Sequence, residues 1–516
     1  MKLRATYRPP NAKSYAAPGG AWDLHSLDEI MKQRPASAGA SVVDGDLRLT
    51  GDELETRIAS LAGSLRRLGV RRGDVVAWQL PNWWEALVLY RACWRCGAVA
   101  APLHHQFGSS EVEHMIDLLE PKVSFSTPAL PLADRDGAIL VRTTESPFAT
   151  MLSGAPVTES PNRAADLAVV LFTSGSTGRP KAVLHTHRGL GYKSRAMSRV
   201  HDLSTSDAVL MPSPLAHISG LMNAVLLPGV TAMRSVLMER WDVERGLHLI
   251  EAEDVSYMIG PPSIFTAMME TSTFSPTRVS SMRVISSGMM GITPAFVESA
   301  RDGFGAVVKR SYGSTEAPTV STCLNTDPEE KCRDTDGRAV GDAEVRIANH
   351  VTGEWRAADI EGEVWTKGPE LFAGYSDAAE TAAALHGGWF RTGDLGVMDA
   401  DGWLRITGRI KDLIIRGGEN ISSSEVERAL ESHPGIHQAI VVGRPDERLG
   451  ERVVAFIVGS HEFDVTECRR WFAEHGVARF KTPEVVVQID QVPLLAAGKP
   501  DRAALRARAA TLNVSL

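Results

Sequence analysis

Cysteine is scarce in this chain. Five in 516 residues are too few, and odd in number, for a disulfide framework. A reducing, cytoplasmic setting is therefore the expectation. Long hydrophobic runs are lacking as well. The most apolar stretch, residues 86–103, is interrupted by Arg91 and Arg95, whereas a membrane-spanning helix needs about 18–20 nearly uncharged residues. The opening residues MKLRATYRPP carry basic side chains with no apolar run behind them, so no signal peptide is expected. There is no basic excess: Lys plus Arg total 55 against 63 Asp plus Glu, a formal charge of -8. That balance argues against nucleic acid as the main partner, because binding a phosphate backbone needs clustered cations. Local basic sites for a nucleotide or coenzyme remain open. Neither an internal repeat nor a low-complexity tail is visible.

What is present is ordinary globular composition, 43% apolar and 23% charged. The length allows about three cores or subdomains. Cys93 and Cys96 form a C-x-x-C pair. A zinc site would want two further ligands at matching spacing, and Cys323 and Cys332 do not supply them. The pair lies in the helix-like run RACWRCGAVA, which favours buried structural thiols.

The first third alternates strand-like and helix-like segments. Thr50 with Glu53 predicts a capping box, followed by Leu54, Ile58, Leu61, Leu65 and Leu68 at helical steps. Residues 74–80 predict a strand, and Trp83, Leu87 and Tyr90 a second helix. This alternation predicts a parallel or mixed α/β sheet, continuing to about residue 330. Residues 337–408 change texture, with glycines and short β-like runs that predict an antiparallel sheet or small barrel. The last hundred residues read as a separate unit. Ser422 with Glu425 predicts another capping box, and strands are expected at 439–442, 453–458 and 485–489, with a helix near 467–475. A domain boundary is expected near 409–412.

The most informative segment is LAVVLFTSGSTGRPK at 167–181. An apolar strand ends abruptly in Thr173, Ser174, Gly175, Ser176, Thr177 and Gly178, with Lys181 following. Small residues can turn backbone N–H groups toward an anion, hydroxyls add donors, and the lysine adds charge. The composition is that of a phosphate cradle. It is not a Walker A loop, because Arg179 and Pro180 separate Gly178 from Lys181.

This loop resembles the signature loop of adenylate-forming enzymes: acyl-CoA synthetases, adenylation domains and beetle luciferases. Further motifs follow in that family's order: His217 in PLAHISG, SYGSTEAP at 311–318, GWFRTGDLG at 388–396, GRIKDLIIRGGENIS at 408–422 and GKPDR at 498–502. The resemblance covers roughly residues 45–505 and is nearest to the acyl-CoA synthetases. It implies an α/β fold with a large N-terminal domain of two α/β subdomains plus a small β-barrel-like region. A small mobile α+β C-terminal domain follows. The expected limits are 1–410 for the adenylation domain and 411–516 for the mobile one.

The resemblance also implies roles. Carboxylic acid and ATP would give acyl-AMP and pyrophosphate, and coenzyme A would then take the acyl group. Thr173, Ser174, Gly175, Ser176, Thr177, Gly178 and Lys181 would hold the ATP phosphates. Glu316 would help hold Mg²⁺ against them, in keeping with the preference of that ion for hard oxygen ligands. Tyr312 would lie against adenine, with Gly313 and Ser314 beside it, and Thr315 near the α-phosphate. Ser287, Gly288 and Met289 would line the adenine and acyl sites. Asp394 would accept from the ribose hydroxyls, with Arg409 as companion. Lys499 would contact both the acid and the α-phosphate; a cation there offsets the repulsion between two approaching anions. Lys411 matches the hinge, Gly417, Gly418 and Glu419 the coenzyme A tunnel, and His217 the acyl-pocket gate.

Several departures from the family pattern stand out. Ala216 fills a place that is usually aromatic, which widens the pocket, and Ala497 fills a place that is often serine. The stretch MPSPLAHISG lacks the aspartate that amino-acid-activating domains use. Met289 and Met290 point to a hydrophobic acid: medium-chain, alicyclic or aromatic. The start YRPPNAKSYAAPGGAWD faintly resembles that of alicyclic or medium-chain acid ligases. The rival readings are a ligase that loads a carrier protein, a luciferase-like oxidase and a non-catalytic nucleotide-binding protein. The last would be expected to have lost Lys499, Glu316 or Asp394. Oligomeric state stays open between monomer and homodimer.

Overall fold

In the computed structural model the described residues are 3–35, 39–144, 146–174, 180–288, 292–416, 419–446, 448–459, 463–495 and 499–512, with the backbone alone at Ser174 and Asn420. They separate into two compact units. The first is built from 1–345 and 366–390, the second from 346–365 and 391–516.

The first unit holds two large sheets. One has six strands in the order Ile139–Leu140, Val123–Ser126, Val75–Gln79, Val99–Leu103, Leu167–Ser174 and Pro180–Thr186. Its pairs are parallel except the last, which is antiparallel. The other has nine strands, with parallel Ala208–Met211, Tyr257–Gly260, Val284–Gly288 and Val307–Tyr312 at its heart. The expected α/β alternation is therefore realised. Val75–Gln79 and Val99–Leu103 are buried throughout, as strands covered on both faces must be.

The helix Gly51–Arg67 begins at the predicted capping box. The Thr50 hydroxyl accepts from the Glu53 N–H, and Glu53 accepts from the Thr50 N–H in return. Helix Trp84–Cys96 packs against it in the largest core cluster, around Trp78, Trp94 and Phe125. Burying a side chain such as Phe125 contributes about 1.5–3 kcal/mol. Arg91 and Arg95, which interrupt the apolar run, are buried and paired with Glu55, and Arg95 also with Asp28. Cys93 and Cys96 are buried free thiols. Burial pushes the Cys96 thiol up to about 11. Among the described residues no helix is long and apolar enough to cross a membrane.

Residues 344–409 carry five short strands. In the second unit, residues 394–398 of strand Trp389–Met398 pair antiparallel with Leu404–Arg409, in register Asp394↔Arg409. The C-terminal part of that unit is a second five-stranded sheet. Ile436–Asp446 and Gly450–Gly459 form its long hairpin, and Val485–Gln488 adds in parallel. Helices Ser423–Glu431, Val465–Glu474 and Arg502–Thr511 accompany it.

One expectation is corrected here. Ser422 does sit at the N-cap of Ser423–Glu431, but its side chain makes no capping bond. Its hydroxyl donates to the Thr407 carbonyl at 3.1 Å instead, and Glu425 pairs with Lys481. A nearby backbone acceptor outcompeted the local motif.

Candidate active site

The chemistry-bearing residues fall into one group on each unit. On the first unit, the apolar strand Leu167–Ser174 delivers Thr173 opposite Lys181 on the returning strand. Gly175, Ser176, Thr177 and Gly178, the rest of the expected cradle, lie outside the described residues. Lys181 Nζ is 2.9 Å from Glu380 and 5.4 Å from the centre of the Tyr375 ring. The lysine is thus held by a carboxylate on helix Ala378–Ala384 and by an aromatic face.

The parallel strands Val284–Gly288 and Val307–Tyr312 run side by side, with Gly288 in register with Ser311. Their C-terminal ends point Ser287, Gly288 and Tyr312 to the edge where ligands bind in open α/β sheets. The Ser287 hydroxyl donates to the Gly260 carbonyl at 3.1 Å. Met289 lies outside the described residues. After Tyr312 the chain folds back on itself. A Cβ at Gly313 would lie 2.4 Å from the Thr319 nitrogen, so only glycine fits. The Ser314 N–H donates to the Ala317 carbonyl, and the Ser314 hydroxyl accepts from the Ala317 N–H. This tight turn presents Thr315 and Glu316.

Residues 371–375 stitch the two parts together. The Ala373 N–H donates to Leu184 and the Leu184 N–H to Gly374, while Val183 bridges Tyr375. On the other side the Phe372 N–H donates to the Glu316 carbonyl at 2.8 Å. The Tyr375 hydroxyl donates to Glu316 Oε1 at 2.8 Å. Burial and then the Glu316 charge raise the Tyr375 hydroxyl far above its ordinary value, so it stays a donor. His185 adds a further tie, with Nε2 2.7 Å from the Thr315 carbonyl. Burial holds its imidazole down at about 4. Thr173, Lys181, Thr315 and Glu316 are thereby fixed on one platform.

His217 caps the short helix Ile218–Gly220, which runs into a π-helical turn at Leu221–Leu226. Its ring centre is 4.7 Å from that of His104, which stacks at 4.6 Å on His105. Burial, then His217 and His105, hold His104 down at about 3, so it is neutral. Ala216 beside His217 is buried.

On the second unit, Asp394 is buried and Arg409 Nε lies 2.9 Å from its Oδ1. Gly393 before it has φ +72°, a turn that favours glycine. Lys411 lies in the 3₁₀ turn Ile410–Asp412. Its carbonyl accepts from Arg506 Nη2 at 3.2 Å, and the same guanidinium is 3.1 Å from Asp412. Arg502 pairs with Glu427 at 2.8 Å. Helix Arg502–Thr511 thus grips the residue after Lys411. Glu419 opens the strand Glu419–Ser422, opposite Arg416. Gly417 and Gly418 lie outside the described residues. The Lys499 carbonyl accepts from the Leu495 N–H at 2.7 Å.

Tyr375, Glu380, His185, His104 and His105 were not singled out from sequence. The HH dipeptide after the strand Val99–Leu103 was the one local signal among them.

An α/β unit with two large sheets that carries Thr173, Lys181, Thr315 and Glu316 on one platform, followed by a small α+β unit, is the architecture of the adenylate-forming class of ligases. Comparison with known proteins agrees. Residues 27–376 match the AMP-binding enzyme family and 425–499 match the AMP-binding enzyme C-terminal domain. The medium-chain fatty-acid–CoA ligase of Escherichia coli (strain K12) is 32% identical, over 98% of this chain and 94% of that one. Feruloyl-CoA synthase of an Amycolatopsis species is 32% identical, over 93% and 98%. Among solved structures, ATP-bound MatB from Rhodopseudomonas palustris superposes with a TM-score of 0.88 at 25% identity, covering 95% of this chain and 99% of that one. The o-succinylbenzoate CoA synthetase (MenE) of Bacillus subtilis, with its acyl-adenylate intermediate OSB-AMP, gives 0.82 at 26% identity, over 94% and 98%. The chain belongs to the AMP-binding enzyme family, and it is an AMP-forming acid–thiol ligase.

Proposed function

We propose that the protein converts a hydrophobic carboxylic acid, ATP and coenzyme A into acyl-CoA, AMP and pyrophosphate through an enzyme-held acyl-adenylate. The observation that carries this reading is the platform at 371–375, which ties the Thr173–Lys181 strand pair to the turn bearing Glu316.

In the first step an acid carboxylate oxygen attacks the α-phosphorus, and the bond to the pyrophosphate oxygen breaks. Thr173, Ser174, Gly175, Ser176, Thr177, Gly178 and Lys181 hold the phosphates, Thr315 stands near the α-phosphate, and Tyr312 with Gly313 and Ser314 borders the adenine. Ser287, Gly288 and Met289 line the adenine and acyl sites, and His217 gates the acid. Asp394 and Arg409 hold the ribose, and Lys499 brings the two anions together. Among the described residues no three His, Cys, Asp or Glu cluster as a metal site. A lone Glu316 with Oε1 already held by Tyr375 fits Mg²⁺ that arrives on ATP and takes most of its ligands from phosphate and water. When bound, that ion neutralises phosphate charge.

In the second step the coenzyme thiol loses its proton and attacks the acyl carbonyl, and AMP leaves. Gly417, Gly418 and Glu419 border the pantetheine arm, and residues 411–516 turn about Lys411 between steps. Five buried, unpaired cysteines support a cytoplasmic home. The apolar character of the acid is supported by the methionines at 289 and 290 and by relatives named for medium-chain fatty and feruloyl substrates.

A panel of acids in a pyrophosphate-release assay, with and without coenzyme A, tests the reading. Release with medium-chain or aromatic acids, and thioester only when coenzyme A is added, is the expected result. Release followed by transfer only to a pantetheinylated carrier protein would transfer the assignment to a carrier-loading ligase.

A further inference from the structure

The N-terminal residues form a strap pinned to the first unit. The Thr6 and Tyr7 N–H groups both donate to the Ala373 carbonyl at 2.9 Å. The Thr6 hydroxyl donates to the Tyr375 carbonyl at 2.6 Å, and the Tyr7 hydroxyl to the Gly388 carbonyl at 3.1 Å. Beside the strap opens a cleft of about 460 Å³, within the range of small-ligand sites. Its lining includes Arg8, Arg188, Tyr7, Trp22 and Thr186, and no acidic residue.

The two arginines are set for an anion. Neither has a carboxylate partner among the described residues. Arg8 is exposed. The Arg188 guanidinium lies 3.7 Å over the Trp22 ring, and its buried Nε–H has no hydrogen-bond partner among the described residues. Trp22 is itself fixed, its indole N–H donating to the Pro369 carbonyl at 2.8 Å. Burial and the neighbouring Arg8 charge both lower the Arg188 proton affinity. Two guanidiniums that repel each other and have no carboxylate partner among the described residues are relieved by a dianion between them, and their fork of donors matches phosphate oxygens.

We propose that this cleft, apart from the phosphate loop, binds the phosphate of a phosphorylated nucleoside between Arg8 and Arg188. Tyr7 and Trp22 supply apolar surface beside it. The coenzyme A nucleotide end and free mononucleotide or phosphate share this chemistry. The coenzyme source rests on the acyl-transfer reading above; the anion cleft does not.

The test is calorimetric titration of the whole chain with adenosine 3′,5′-bisphosphate, AMP and inorganic phosphate. Wild type is compared with Arg8→Gln and Arg188→Lys, both checked for an unchanged melting temperature. Arg8 is exposed, so Arg8→Gln keeps the test meaningful if Arg188→Lys fails to fold. The bisphosphate is expected to bind roughly tenfold more weakly to each variant, with a steep loss of wild-type affinity in salt. A matching rise in KM for coenzyme A, with ATP–pyrophosphate exchange unchanged, assigns the coenzyme as the source. Weakened AMP or inorganic phosphate binding with unchanged KM for coenzyme A assigns free phosphate ligands to the same cleft. Equal binding of all three ligands to wild type and Arg8→Gln overturns the proposal. Absence of exchange with every acid defeats the ligase reading alone, since the titrations do not depend on turnover.

Discussion

The Tyr375 hydroxyl donates to Glu316 Oε1 at 2.8 Å, across 59 positions of chain. The bond fixes one carboxylate oxygen and leaves the direction of the other determined. Removing it with Tyr375→Phe should raise the Mg²⁺ and ATP concentrations needed for half-maximal pyrophosphate exchange by roughly tenfold, the scale of one hydrogen bond to a charged group. The KM for the acid should move little. A proportional loss against all substrates would mean that Tyr375 serves folding alone.

Lys499→Ala should abolish acid-dependent ATP–pyrophosphate exchange, by roughly a hundredfold or more. The variant should still turn supplied acyl-adenylate and coenzyme A into thioester. If both half-reactions fell equally in a folded protein, the separate role for Lys499 would be refuted.

Lys411→Pro is expected to show the opposite bias. Proline restricts the backbone where the proposed hinge must change conformation, and Arg506 already holds the Lys411 carbonyl and Asp412. Adenylation should survive and thioester formation should drop by roughly tenfold or more. Full thioester formation in this variant would remove Lys411 as the pivot.

Glu431 gives a pH signature. Burial raises its carboxyl to about 7 from 4.5, although the Ala439 N–H donates to it. The folded state therefore holds a proton that the unfolded state releases between about 4.5 and 7, and stability falls as pH rises through that window. Glu431→Gln removes the loss. The gain should be small near pH 4.5 and reach about 3 kcal/mol at pH 8. Amide exchange in the helix Ser423–Glu431 at both pH values reads it; a gain independent of pH would contradict it.

Local pattern determined much of this protein. Strand–helix alternation is written in apolar spacing, so Val75–Gln79, Gly51–Arg67 and Leu167–Ser174 were legible from neighbours alone. The Thr50–Glu53 cap succeeded because its partners lie three residues apart. The Ser422 cap failed because Thr407, fifteen positions away, offered its carbonyl to the same hydroxyl. The ordered motifs likewise singled out Thr173, Glu316, Asp394 and Lys499 as candidates, because residue type and order are properties of the chain. Only tertiary structure could bring Tyr375 to Glu316, Glu380 to Lys181, His104 to His217, and Arg8 to Arg188. Those pairings depend on sheet register and on where the 371–375 crossing lands. No periodicity along the sequence encodes a distance between side chains that meet only after the chain has folded.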